Sequence, residues 1–110
     1  MARKIGKSIT LDFTVHNPLT GQVQDADVLP TSQVFEDITD IAILTPMVIK
    51  RVGATGDYRA TFIASIANGF EVDKSYNVIA EATVAGITAK ARIASFNLES
   101  SVLVPAQFKV

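Results

Sequence analysis

Cysteine and tryptophan are absent from this 110-residue chain, and histidine occurs once, as His16. Without cysteine there are no disulfides, no thiolate metal sites and no thiol nucleophile, and a single imidazole leaves little room for a His-rich metal centre or a Ser-His-Asp triad. Charge is also scarce. Ten basic residues face eleven acidic ones, for a formal net charge of -1 and a pI of about 5.7. A balance this close to neutral offers no field to draw in nucleic acid or an anionic membrane. No apolar run of about 18 residues exists, and Met1-Ala2-Arg3-Lys4-Ile5-Gly6-Lys7 lacks the apolar stretch of a signal peptide. The expectation is a non-enzymatic protein made in a cytoplasm, with no cofactor, no metal, no nucleic acid and no membrane.

What the chain does have is apolar bulk. Hydrophobic residues make up 48% against 19% charged, with a mean hydropathy of +0.30, which is greasy for one small domain with much surface to cover. Some of that surface is therefore expected to serve contact. The apolar residues recur with period two. Ile9, Leu11, Phe13 and Val15 alternate with Thr10, Asp12, Thr14 and His16, then Asn17-Pro18-Leu19-Thr20-Gly21 supplies turn chemistry. The stretch to Pro30 reads as an irregular connection with a short edge strand near Gln22 to Gln24. Thr31 to Glu36, Ile41 to Leu44 and Met47 to Val52 read as short strands, and Gly53-Ala54-Thr55-Gly56-Asp57 as a hairpin turn.

Beyond that turn Tyr58, Ala60, Phe62 and Ala64 share one strand face, and Ile66 to Ser75 forms a corner. Tyr76, Val78, Ala80, Ala82 and Val84 then share a face, reversing at Ala85-Gly86 into Ile87, Ala89, Ala91 and Ile93. Phe96 and Leu98 have the opposite parity, which predicts a bulge near Ala94-Ser95. About seven or eight short strands in about 100 residues imply an all-β, immunoglobulin-like antiparallel sandwich, with Tyr76 where a tyrosine corner belongs. The expected division is an N-terminal arm (1–7), a sandwich domain (8–99) and a C-terminal arm or last strand (100–110).

Candidate sites are few. His16 reads as a solvated loop-edge residue. The loop acids Asp25, Asp27, Glu36, Asp37, Asp40, Asp57 and Asp73 lack an Asp-x-Asp-x-Asp-Gly run, so loop solubility is favoured over a calcium site. The expected partner contacts are the basic arm Arg3, Lys4, Ile5 and Lys7, together with Leu103, Val104, Phe108 and Val110 of an unusually apolar C-terminus.

Four segments carry a resemblance: Val34-Phe35-Glu36-Asp37, Gly56-Asp57-Tyr58-Arg59-Ala60-Thr61-Phe62, Asn68-Gly69-Phe70-Glu71-Val72-Asp73-Lys74-Ser75-Tyr76, and Ala82-Thr83-Val84-Ala85-Gly86-Ile87-Thr88. Together they resemble small virion proteins of tailed bacteriophages, with Asp73 where that pattern often has Gly. The resemblance implies a structural virion protein, foremost a capsid decoration or cement protein. It would bind the major capsid protein of the assembled head and itself form a homo-oligomer, a trimer being favoured. A head-tail connector, a tail or fibre module, and a surface-binding adhesion module are the alternatives.

Overall fold

The computed structural model describes residues 2–100 and is all-β apart from one short 3-10 turn, Ile66–Asn68. Its strands are β1 (Ala2–Lys4), β2 (Ser8–Thr14), β3 (Thr31–Glu36), β4 (Ala42–Leu44), β5 (Met47–Lys50), β6 (Asp57–Ile63), β7 (Ser75–Val84) and β8 (Ile87–Glu99). They form a five-stranded sheet in the order β1-β8-β7-β3-β4 and a three-stranded sheet in the order β2-β6-β5. The two sheets form a β-sandwich, because the alternating apolar faces of both meet in one core.

That core has two parts. At one end Ile9, Phe62 and Ala64 from the smaller sheet meet Val34, Tyr76, Val78, Phe96 and Leu98 from the larger one, with Phe70 inserted from the β6–β7 connection. Phe70 stacks on Phe62 at 5.7 Å and meets Tyr76 edge-on at 4.8 Å. Each such buried ring contributes about 2–3 kcal/mol through removal from water. The Tyr76 hydroxyl accepts the Glu71 N–H at 2.8 Å, which closes the corner upstream of β7 as a tyrosine there should. At the other end the core is thinner: Val15, Val48, Tyr58, Ala60 and Val84.

The thin end is closed by polar clamps from the connection between β2 and β3. The Asp25 carboxylate accepts the Gly56 N–H at 2.6 Å, in the β5–β6 turn of the smaller sheet. Two residues on, the Asp27 carboxylate accepts the N–H groups of Ala85 and Gly86 at 3.1 and 2.9 Å, in the β7–β8 turn of the larger sheet. Between them the Ala26 N–H donates to the Tyr58 hydroxyl at 2.9 Å. One extended segment thus ties both sheets together. The short edge strand expected near Gln22 to Gln24 is a single bridge, His16 to Val23.

Several expectations change. The N-terminal arm is not an arm: Ala2–Lys4 pairs in parallel with Asn97–Glu99, and the Ile5 N–H donates to the Glu99 carbonyl at 2.9 Å. A ladder needs only backbone groups, so a segment with no apolar alternation can still join a sheet. The bulge falls one residue earlier than expected, at Ile93, since Val78 opposes Ala94 whereas Ile79 opposes Arg92. This placement lets both Ile93 and Ala94 pack beside the core. Asp73, in the position where the resembling pattern often has Gly, itself takes a left-handed conformation, with φ 70°.

Two turn positions yield opposite predictions. Gly56 has φ +71°, and a Cβ there would lie 2.6 Å from Val23 Cγ1 and 2.9 Å from the Val15 carbonyl oxygen. Gly56→Ala should therefore cost about 2–3 kcal/mol in chemical denaturation. Ala85 and Gly86 form a two-residue turn with both φ positive, at 52° and 78°. Replacing Ala85 by Asn, which tolerates that region, should raise stability by about 0.5–1 kcal/mol.

Candidate partner-binding surface

The expected N-terminal contacts are mostly engaged within the molecule. Lys4 Nζ lies 3.0 Å from a Glu99 carboxylate oxygen, and Ile5 packs against the core as a partly buried residue. Arg3 is half-buried, and its Nε is enclosed without a hydrogen-bond partner among the described residues. Lys7 is exposed, while its carbonyl accepts the Ala64 N–H at 3.0 Å. These side chains therefore do not converge on one free basic patch. Leu103, Val104, Phe108 and Val110 lie outside the described residues.

Four of the loop acids, Asp25, Asp27, Glu36 and Asp37, are structural acceptors. Glu36 is buried at the end of β3 and accepts the N–H groups of Ile38 and Thr39 at 2.7 and 3.1 Å, with Lys74 Nζ at 3.4 Å. The Thr39 N–H, joined by that of Ile38 and by the Lys74 ammonium, holds its carboxyl below the usual range against the opposing effect of burial. Asp25 is likewise lowered, first by the Gly56 N–H and then by Lys50. On the outer face of the smaller sheet Arg59, 2.8 Å from Asp12, is the leading cause of a lowered Asp12. Among the described residues no three acidic or imidazole groups gather as a metal site, and His16 is exposed.

The surface that remains is apolar, in three places. Loop tips at both ends carry large exposed side chains, with Ile38 91% and Val52 100% exposed, and Leu19, Val28 and Ile66 well above half. The outer face of the smaller sheet presents Met47, Ile49 and Ile63. The third place is a groove of about 180 Å³ along the side of the sandwich, lined by Phe13, Val15, Pro18, Ala80, Ala82, Val84, Ile87, Ala89, Ala91 and Ile93, with Thr14, His16 and Lys90 beside them.

The groove follows from unequal layers. β2 is the edge of the smaller sheet, and β8 runs beyond it. β1 covers the β8 edge only at Asn97–Glu99, so Ile87 to Arg92 lies exposed on both faces. Ile87, Ala89 and Ala91, which share a face in the sequence alternation, line this groove and are exposed. The number of strands in the opposite sheet decides whether anything covers them, and no local pattern encodes that number.

In comparison with known proteins, no family model, no curated protein and no solved structure matches the chain. No helix among the described residues is long and apolar enough to cross a membrane.

The clamps predict a response to acid. A carboxyl held below its ordinary value contributes stability that is complete above about pH 4.3 and is lost as pH falls through the lowered folded value. Glu36→Gln should lower the thermal midpoint at pH 7. It should also make that midpoint fall less steeply than the parent's between about pH 5 and pH 2, as followed by circular dichroism.

Proposed function

We propose that this chain is a structural virion protein of a tailed bacteriophage, a decoration or cement module that binds the major capsid protein on the outside of the assembled head. It acts as a homo-oligomer, a trimer being the favoured form, and makes or breaks no bond. One observation carries the reading: a sandwich with its own packed core still exposes large apolar side chains at both ends and along one side. Such a module is suited to lying between neighbours.

Further support comes from the four resembling segments. They fall on the end of β3 and its turn, the β5–β6 turn with β6, the corner into β7, and the β7–β8 hairpin. These are the positions that set the shape of the module. The order β2-β6-β5 opposite β8-β7-β3 corresponds to the B-E-D and G-F-C order of an immunoglobulin-like sandwich, with Tyr76 at its corner. Association would draw on burial of apolar area at about 25 cal/mol per Å², against an association cost of about 4–15 kcal/mol. Many weak sites repeated over a symmetric shell then reinforce it collectively.

Purified protein mixed with empty heads of its cognate capsid protein should bind at on the order of hundreds of copies per head. Binding should raise the temperature at which the heads rupture, and unassembled capsid protein should not be bound. A stoichiometry of about a dozen or fewer per particle would assign the chain to a connector or fibre instead. No binding to heads would end the reading.

A further inference from the structure

We infer that the side groove between β2 and the open half of β8 receives the C-terminal segment 102–110 of a second copy of this chain, added as a strand. The groove combines two features. Its lining is mostly apolar, with Thr14, His16 and Lys90 among it, and it is flanked by two strands whose outer edges have no ladder partner among the described residues: β2 along its length and β8 ahead of Asn97. Apolar walls beside unpaired N–H and C=O groups are what an incoming extended segment needs, since the edge supplies hydrogen bonds and the groove takes alternate side chains.

The sequence past Ser100 has the matching pattern. In Ser101-Val102-Leu103-Val104-Pro105-Ala106-Gln107-Phe108-Lys109-Val110, an extended chain puts Val102, Val104, Ala106, Phe108 and Val110 on one face. The β7 and β8 side of the groove carries four alanines, Ala80, Ala82, Ala89 and Ala91, which leave depth for a ring such as that of Phe108. Pro105 lacks an N–H, a loss that a strand paired along one side tolerates.

Reach selects a second copy over the chain's own end. The segment departs beyond Glu99, whereas the groove begins near Ile93, about 20 Å back along β8 at about 3.3 Å per residue. β1 occupies the β8 edge over the Asn97–Glu99 part of that interval. A ten-residue segment spans at most about 33–36 Å, so its own turn and the detour round β1 would leave only its last residues in the groove. A segment arriving from a neighbour has no such detour and can seat all five apolar residues.

The absence of cysteine from the native chain makes cross-linking a clean test, and the full chain is used throughout. An epitope-tagged Ala89→Cys chain is mixed with an untagged Phe108→Cys chain and oxidised with copper-phenanthroline. The expected result is a severalfold excess of the mixed disulfide over the two like-with-like products, and a yield no higher than random collision gives would overturn the inference. A chain carrying both substitutions should link into multimers, and a product that stays at single-chain size would overturn the choice of a second copy. Independently, Val104→Asp with Phe108→Asp, and separately Ala91→Asp, should abolish the concentration-dependent association seen for the unsubstituted chain in sedimentation. Association that persists unchanged, or an unsubstituted chain that remains monomeric, would equally overturn it. No capsid is present in either assay, so these failures are distinct from failure of the shell-binding proposal.

Discussion

The rings of Phe62, Phe70, Tyr76 and Phe96 are where the two sheets are joined, and the rest of the molecule is arranged around that junction. Phe62 comes from the smaller sheet and Phe96 from the larger, while Phe70 lies within 6.4 Å of each of the other three centroids. Phe70 belongs to no strand. It is delivered by the corner that follows the 3-10 turn, whose cap is Ser65 at one end and Gly69, with φ 94°, at the other. The Tyr76 hydroxyl then fixes the far side of that corner, and burial pushes its phenol above its ordinary value, so it stays a neutral acceptor at any physiological pH. Local backbone geometry and the aromatic core are thus one device.

The opposite end has no such cluster, and its stability has a different origin. Alanines and valines leave little apolar area to bury between the layers there. Asp25 and Asp27, on a single extended segment, instead hold one turn from each sheet by charge-assisted hydrogen bonds. Lys50 adds to this closure by donating to the Ala54 carbonyl at 2.7 Å while lying over the Tyr58 ring. Both ends nevertheless answer to acid, because Glu36, opposite Tyr76 at the aromatic end, and Asp25 at the other are each held below their ordinary values.

Period-two alternation made β2, β3, β6 and β7 legible, because each has one face in the core and one outside it. It also exposed the parity change in β8, although the bulge sits at Ile93 rather than near Ala94-Ser95. β1 was not legible, since Ala2–Lys4 has no alternation and its partner lies at the far end of the chain. The roles of Asp25, Asp27 and Glu36 were hidden for a related reason: their partners are backbone N–H groups, which carry no residue-type signal, and for the first two those partners are 31 to 59 positions away. The candidate surface was the least legible of all. Whether Ile87 and Ala89 are core or groove depends on how many strands stand opposite them, a property of the assembled sandwich.

An uncovered apolar strand edge is ordinarily a liability, because any extended chain can pair with it. Here the small side chains on the groove floor narrow what can bind. Small side chains contribute little area themselves, so most of the burial must come from the incoming residues, and only a segment with bulky groups at alternate positions fills the depth. A flat or polar strand would gain the ladder bonds but leave voids beneath it, and ladder bonds exchanged with water are worth only about 0.5–1.5 kcal/mol each. Discrimination therefore resides in the pattern of the visiting chain more than in the groove, whose small residues set the depth to be filled.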